Sequence, residues 1–142
     1  MRDVHQYFDW VFRVIEDAGA EEVELDFEPD TSRTGLIEGA IYFYDGSRLE
    51  FSETVKLISG KPTKKRYVYQ YVRDGIAVFR YDNALHHPGL SNFPHHKHVG
   101  AQLVSAIEPT LKQVLDEVAG YFTETYSIEP KRRRPKKRAS SK

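Results

Sequence analysis

The sequence contains no cysteine, which excludes disulfide bonds and thiolate metal ligands and is compatible with a reducing compartment. It has no apolar run approaching the roughly 18 residues that indicate a membrane-spanning helix. Charged residues interrupt the segment 1–19 throughout, so it lacks the apolar core of a signal peptide. A glycine-rich phosphate loop and a dinucleotide fingerprint are also missing. These absences predict a cytoplasmic protein that makes no contact with a membrane.

The formal net charge of zero hides an uneven distribution of charge along the chain. Residues 131–142 hold eight basic side chains and no acid, which leaves 13 basic and 21 acidic residues in 1–130, an excess of eight negative charges. We therefore predict a single acidic domain over 1–128 and a disordered basic tail over 129–142.

Clustered lysine and arginine release counterions when they bind a polyanion, so the tail is a candidate arm for RNA or DNA. Two alternatives remain open, a solubilising tail and a tail that docks back on the acidic domain. The candidate phosphate-binding residues of the tail are Arg132, Arg133, Arg134, Lys136 and Lys137.

Two segments have apolar residues at helical spacing. The first covers 3–18 and is followed by Gly19, a residue that favours the end of a helix. The second covers about 108–124 and begins near Pro109, which is favourable in a first helical turn. We expect one helix at each end of the domain.

Between these helices the sequence alternates apolar and polar residues, which predicts β-strands. The expected strands cover 21–28, 36–44 and 47–57, followed by a pair within 65–82. The dipeptides Asp45-Gly46 and Asp74-Gly75 favour tight hairpin turns because their residues accept positive φ. The predicted fold is α+β, an antiparallel sheet of four to five strands with two hairpins, flanked by the two helices.

Five of the six histidines fall within 13 residues, in a segment that follows the last predicted strand. Histidine titrates near neutral pH and is the commonest metal ligand, and loops held by a rigid sheet often carry catalytic groups. We therefore interpret 83–100 as a functional loop, with a solvated histidine-rich loop as the structural alternative. Its candidate residues are His86, His87, His95, His96, Lys97 and His98, with Arg80 and Asp82 just upstream.

Three chemistries could use this set of residues. In metal-independent RNA cleavage, one histidine removes the 2′-hydroxyl proton, another protonates the leaving 5′-oxygen, and Lys97 or Arg80 stabilises the phosphorane. In a metal site, His95 and His98 with His86 or His87 and Asp82 would supply three or four ligands to a divalent ion such as Zn or Mn. The third chemistry is anion binding without turnover. The spacing of the residues does not separate the three.

Glu53 is a further candidate. On a strand over 47–57 it shares a face with Leu49 and Phe51, so its carboxylate would project among apolar side chains. Such a carboxylate could orient a histidine or act as a base. The alternative is a surface ion pair with a lysine or arginine.

The run from Phe79 to His98, FRYDNALHHPGLSNFPHHKH, together with GAIYFYDGSRLEFSE from Gly39, closely resembles the TumE-type toxin family of toxin–antitoxin pairs. The resemblance covers about residues 20–122. It implies a small cytoplasmic toxin that is neutralised by a cognate antitoxin, typically a helix-turn-helix protein, and an RNase activity is the usual expectation. The positions that carry it are Arg80, Asp82, Asn83, His86, His87, Pro94, His95, His96, Lys97 and His98.

The leading hypothesis is an endoribonuclease toxin that cleaves RNA by histidine acid–base chemistry without a required cofactor. We expect His95 and His98 to form the acid–base pair, Lys97 and Arg80 to contact phosphate, and Asp82 to orient an imidazole. The competing hypotheses are a non-catalytic nucleic-acid-binding module and a metal-dependent nuclease that uses the same histidines as ligands.

Overall fold

The computed structural model describes residues 1–122 and the backbone of 136–138. The first half contains α1 (Val4–Asp17), β1 (Glu22–Pro29), β2 (Thr34–Tyr42), β3 (Arg48–Ile58) and β4 (Lys61–Arg73). The second half contains β5 (Ile76–Asp82), β6 (His96–Val99), β7 (Gln102–Ser105), α2 (Leu111–Ala119) and β8 (Lys136–Arg138).

The strands form one open sheet in the order β7-β6-β5-β4-β3-β2-β1-β8. Strands β1 to β7 are antiparallel to their neighbours, whereas β8 runs parallel to β1. The antiparallel strands β1 to β7, with one helix before them and one after them in sequence, confirm the predicted α+β class. The predicted disordered tail over 129–142 lies outside the described residues except at 136–138.

The predicted number of strands was too low, because β6 and β7 lie in or just after the segment interpreted as a loop. Each of the two strands has only four residues, so neither shows enough alternation to be recognised by its pattern. They form because β6 continues the hydrogen-bond ladder of β5, where Asp82 pairs with His96 and Arg80 with His98.

The hairpin turns follow the predicted dipeptides. Asp74 and Gly75 have φ of 50° and 75°, the two positive values that a type I′ turn requires, and Gly46 has φ of 85°. A third turn at Ser59 and Gly60, with φ of 52° and 75°, joins β3 to β4 and was not predicted.

Both helices begin at a side-chain cap. The Asp3 carboxylate accepts hydrogen bonds from the backbone N–H groups of His5 and Gln6 at the start of α1. Thr110 and Gln113 form a reciprocal capping box at the start of α2, so Pro109 lies before the cap and not in the first turn as predicted. Among the residues described, neither helix is long and apolar enough to cross a membrane.

The two faces of the sheet differ. Both helices pack on the helix-covered face, where Tyr67, Tyr69 and Tyr71 are fully buried among apolar side chains of α1 and α2. The opposite face, called the open face here, carries the alternate residues of each strand, many of which are partly exposed. This alternation decides which of the candidate residues can meet.

Candidate functional site

Two rows of side chains cross the open face from β3 to β6. Directly paired residues of neighbouring strands lie on the same face, at a strand spacing of about 4.8 Å. The His98 row contains Glu50, Gln70, Arg80 and His98, and the His96 row contains Ser52, Val68, Asp82 and His96. The register shifts of β4 against β3 and β5 lie outside both rows. The sheet therefore places the histidines beside Arg80 and Asp82 on a regular grid.

Asp82 and His96 form the most enclosed contact of this site. Nε2 of His96 lies 3.0 Å from Oδ1 of Asp82, and the two side chains are only 3% and 4% exposed. Nδ1 of His96 lies 2.9 Å from the carbonyl oxygen of Pro94. Both ring nitrogens thus face oxygen atoms, and these two contacts fix the orientation of the imidazole.

Three further groups bind the Asp82 carboxylate. The Ala84 N–H donates to Oδ1 at 2.9 Å, Arg80 Nε lies 2.9 Å from Oδ2, and an Arg66 guanidinium nitrogen lies 4.0 Å from Oδ1. Burial acts to raise the pKa of Asp82, but the Ala84 N–H, Arg80 and His96 outweigh it and hold the pKa below its ordinary value. The carboxylate is therefore ionised at neutral pH and can orient the imidazole of His96.

Three imidazoles pack together above this carboxylate. The ring centroid of His96 lies 5.2 Å from that of His87 and 5.2 Å from that of His98, and the centroids of His87 and His98 are 6.2 Å apart. Burial and then the neighbouring His96 lower the pKa of His98, against a weaker opposing effect of Asp82. Near pH 7 the ring of His98 is therefore neutral and able to accept a proton.

The same three histidines could hold a metal ion. Each offers a nitrogen, and these atoms all lie within 4.8 Å of one another. Around a tetrahedral zinc at ~2.0–2.1 Å the nitrogens would have to be closer, at roughly 3.3 Å. His96 would also have to release Asp82 or Pro94, since both its ring nitrogens are engaged. The residue types suit a divalent ion, but the arrangement would need to change to bind one.

Two of the sequence candidates lie on the other side of the strand. His95 Nδ1 lies 2.9 Å from the hydroxyl of Tyr67, and the two rings stack at 5.9 Å. Lys97 donates to Oε2 of Glu117 at 2.7 Å and lies over the ring of Tyr81. Tyr67 belongs to the helix-covered face and Glu117 to α2, so neither candidate faces the open-face histidines.

This placement separates the pair expected to act as acid and base. His98 is on the open face, with His87 and His96 as neighbours, whereas His95 contacts Tyr67 behind the strand. Lys97 is likewise removed from the phosphate position expected for it, since it is held by Glu117 and Tyr81. Its bonds to these two residues outweigh burial and raise the pKa of Lys97 above its ordinary value. The sequence interpretation treated 83–100 as a loop and so missed the alternation of a strand.

A family model for the toxin TumE matches residues 11–122, which include both rows and all five clustered histidines. The chain belongs to the TumE toxin family. Comparisons with curated proteins and with solved structures gave no significant match. TumE membership makes this chain a toxin of a toxin–antitoxin system, with a cognate antitoxin as its partner. The resemblance identified in the sequence is thereby confirmed.

The remaining sequence candidates of this TumE-family toxin are His86 and the basic residues of the tail. His86 is exposed and contacts His87 edge to face at 6.3 Å. The tail candidates Arg132, Arg133 and Arg134 lie outside the described residues, as do the side chains of Lys136 and Lys137.

Glu53 of the toxin is fully buried on the helix-covered face, so the prediction that it projects among apolar side chains is confirmed and the surface ion pair is wrong. Its two carboxylate oxygens accept hydrogen bonds from the hydroxyls of Tyr7 and Tyr69. Lys64 Nζ lies 4.0 Å from Glu53 and donates to the Tyr69 hydroxyl at 2.7 Å. The carboxylate therefore ties α1 to the sheet, and its hydrogen-bond partners are tyrosines.

Sequence reasoning missed Arg66 and Gln70 of the TumE-family toxin. Arg66 donates to Asn83 Oδ1 at 3.1 Å and is close to Asp82, while Gln70 accepts a hydrogen bond from Arg80 at 3.3 Å. The available signal was the equal two-residue spacing of Arg80 with Asp82 and of His96 with His98. Pairing those two segments as antiparallel strands would have predicted the part of each row that lies on β5 and β6, whereas Arg66 and Gln70 follow from the pairing of β4 with β5.

Proposed function

We propose that this toxin is an endoribonuclease whose open-face histidines cleave RNA by acid–base chemistry, without a required cofactor. The observation that supports it best is the packing of His87, His96 and His98 around a buried carboxylate, beside Arg80. Acid–base cleavage of RNA needs two imidazoles and a cation at the phosphate, and this arrangement supplies all three.

The surroundings of each ring suggest its role. His98 has a lowered pKa and is partly exposed, so it suits the base that removes the 2′-hydroxyl proton. His87 is also partly exposed and lies 6.2 Å from His98 between ring centroids, which suits the acid that protonates the leaving 5′-oxygen. His96 is too buried to meet the substrate, so it acts as a positioning residue that packs against both other rings.

Arg80 and Arg66 suit the phosphate. Their side chains are 39% and 45% exposed, and both guanidinium groups lie near Asp82. A guanidinium group can donate two parallel hydrogen bonds to phosphate oxygens and so stabilise the charge that develops in the transition state. In this proposal Arg80 contacts the phosphate, a role that was predicted from the sequence for both Arg80 and Lys97.

A metal-dependent nuclease is the second candidate, because the nitrogens of His87, His96 and His98 lie within 4.8 Å of one another. The two candidates differ in one observable property. Acid–base cleavage continues in the presence of EDTA and leaves 2′,3′-cyclic phosphate ends, whereas a metal-dependent nuclease loses its activity when the ion is chelated.

The deciding experiment is incubation of the purified toxin with structured and single-stranded RNA, with and without EDTA, followed by analysis of the RNA ends. The proposal expects EDTA-resistant cleavage and cyclic phosphate ends. Cleavage that chelation abolishes would assign the same histidines to a metal. RNA binding without cleavage would leave the non-catalytic nucleic-acid-binding module and overturn the enzyme.

The partners follow from the same proposal. RNA is the substrate, and a helix-turn-helix antitoxin, as expected from the family, neutralises the toxin. The basic tail adds sequence-independent contacts to RNA or DNA phosphates. Removing 131–142 should therefore make the salt dependence of RNA binding shallower, and an unchanged salt dependence would exclude the tail from binding.

A further inference from the structure

The His98 row continues beyond Arg80 into a shallow groove on the open face. The groove has a volume of about 400 Å³, and its lining includes Glu50, Ser52, Val68, Gln70 and Arg80. That volume falls within the range of roughly 300–1,000 Å³ that is common for small-ligand sites. Arg80 belongs both to the groove and to the histidine cluster, so the two sites are continuous.

Charge gives this groove a direction. Arg80 stands at the end next to His98, whereas Glu38 and Glu50 stand at the other end. A phosphate is attracted to Arg80 and repelled by Glu38, whereas Arg48 offsets part of the charge of Glu50 at the other end. A nucleotide that places its phosphate at Arg80 therefore extends its base toward Glu50. Gln70 and His98 lie two strands apart in the row, a separation of about 10 Å.

The hydrogen-bonding groups of the groove are held in a fixed orientation. Arg80 donates to Gln70 Oε1 at 3.3 Å, and Gln70 Nε2 donates to Glu50 Oε1 in a long bond of 3.4 Å. These neighbours fix which end of the Gln70 amide is oxygen, because a guanidinium only donates and an ionised carboxylate only accepts. Arg48 Nε binds the second oxygen of Glu50 at 3.0 Å.

Toward the residues that the structure describes, the side chains of Glu50 and Gln70 keep unused hydrogen-bonding capacity. A carboxylate offers about four acceptor positions, and these contacts occupy two of those on Glu50. Gln70 has a second N–H on its amide nitrogen. The Glu50 side chain is 43% exposed, so a ligand in the groove can reach it. The groove thus presents a pair of acceptors beside a donor.

We propose that this groove is a subsite for a guanine base next to the scissile phosphate. The proposal deepens the ribonuclease function and rests on it, because the histidines fix the position of the phosphate. Guanine carries two adjacent donors, N1–H and the 2-amino group, next to the acceptor O6. The two donors bind the Glu50 carboxylate, and O6 accepts from the free N–H of Gln70. Val68 packs against the base.

The other bases match this arrangement less well. Uracil has one donor between two acceptors, so one of its acceptor oxygens would face the Glu50 carboxylate and be repelled. Adenine and cytosine each present one amino group next to a ring acceptor, so one oxygen of Glu50 would meet an acceptor and be repelled. A buried or half-buried acceptor without a donor is unfavourable, so the groove discriminates against these bases.

The experiment compares the wild-type toxin with Glu50→Gln and with Glu28→Gln, which removes the same charge from the far side of the open face on β1. Binding is measured to short, non-cleavable 2′-O-methyl oligonucleotides that differ only in one base, guanine or uracil. Cleavage is measured on the matching RNA. We expect wild type and Glu28→Gln to bind the guanine oligonucleotide roughly 5- to 100-fold more tightly, the factor that corresponds to a bidentate base contact. Glu50→Gln should lose this preference.

Each outcome bears on one claim. Wild-type protein that binds both oligonucleotides equally, or a guanine preference that survives Glu50→Gln, would overturn the subsite. The toxin could also show a guanine preference that depends on Glu50 and yet leave the matching RNA uncut. This result would support the guanine subsite and overturn the proposed ribonuclease function.

Discussion

Nε2 of His96 lies 3.0 Å from Oδ1 of Asp82, and this contact joins β5 to β6 almost out of reach of solvent. The same carboxylate binds Arg80 and the Ala84 N–H, so one side chain fixes a histidine, an arginine and the start of the following segment. Since His96 packs against both His87 and His98, Asp82 determines the geometry of the whole cluster.

Replacing Asp82 by Asn should impair both stability and cleavage. The neutral amide has one oxygen for donors that bind both oxygens of the carboxylate, so it leaves the buried imidazole of His96 or the partly exposed guanidinium of Arg80 without its partner, at a cost of roughly 1–3 kcal/mol in the free energy of unfolding. Urea denaturation measures this cost. The matched control is Asp116→Asn on α2, which removes the same charge from an exposed ion pair with Lys112. Because both of these side chains are exposed, the substitution should change the free energy of unfolding by less than about 0.5 kcal/mol. Equal effects of the two substitutions would refute the central position of Asp82.

A double-mutant cycle on Lys97 and Glu117 tests whether Lys97 stabilises the fold through an ion pair or binds phosphate. The ion pair is only 19% and 29% exposed and joins β6 to α2, so Lys97→Met and Glu117→Gln should show a coupling energy of about 1 kcal/mol in urea denaturation. The salt dependence of RNA binding should not change. If Lys97→Met made the salt dependence of RNA binding shallower and the coupling energy were zero, Lys97 would instead be a phosphate ligand.

Replacing Glu53 by Gln should destabilise the fold more than Glu50→Gln on the same strand. Glu53 is fully buried and accepts from Tyr7 and Tyr69 with Lys64 nearby, so we expect a loss of roughly 2–5 kcal/mol. Glu50 is partly exposed and pairs with Arg48, and its replacement should cost less than about 1 kcal/mol. Thermal or urea unfolding of the two variants measures these losses. Similar losses in the free energy of unfolding would contradict a stabilising network around Glu53.

The same network predicts that stability falls at alkaline pH. Burial raises the pKa of Tyr7 and Tyr69 above the ordinary value of 10.0, and the Glu53 carboxylate adds to this effect. Above that value the unfolded chain releases protons that the folded chain keeps, so the free energy of unfolding decreases as the pH rises. Tyrosinate absorbance and a fold-sensitive signal, followed together, should show these tyrosines ionising only as the chain unfolds. Their ionisation in a still folded protein would argue against their burial.

Most of the fold could be predicted because it depends on local patterns. Alternation within 65–82 predicted the pair of strands β4 and β5, and the Asp74-Gly75 turn between them follows from the positive φ that both residues adopt. Alternation also placed Glu53 among apolar side chains. Its partner Tyr7 is 46 residues away on α1, and no local pattern reports how a helix docks on a sheet.

The site was only partly predictable for a related reason. Composition identified the histidines, but the interpretation of 83–100 as a loop placed His95 with His98 and Lys97 beside both. A strand alternates its side chains between two faces, so β6 turns Lys97 toward Glu117 and keeps His96 and His98 together. Which residues meet across a sheet depends on register, and register is set by pairing between distant segments.

The most direct test of the central claim compares RNA cleavage by three variants, His98→Gln, His87→Gln and His95→Gln, with His5→Gln on α1 as the control for a histidine remote from the site. If the open-face histidines are the acid and the base, His98→Gln and His87→Gln should each lose about 10²–10⁴-fold in cleavage rate. His95→Gln and His5→Gln should remain close to wild type. Loss of cleavage in His95→Gln together with full activity of His98→Gln would place the chemistry on the opposite face and contradict the account.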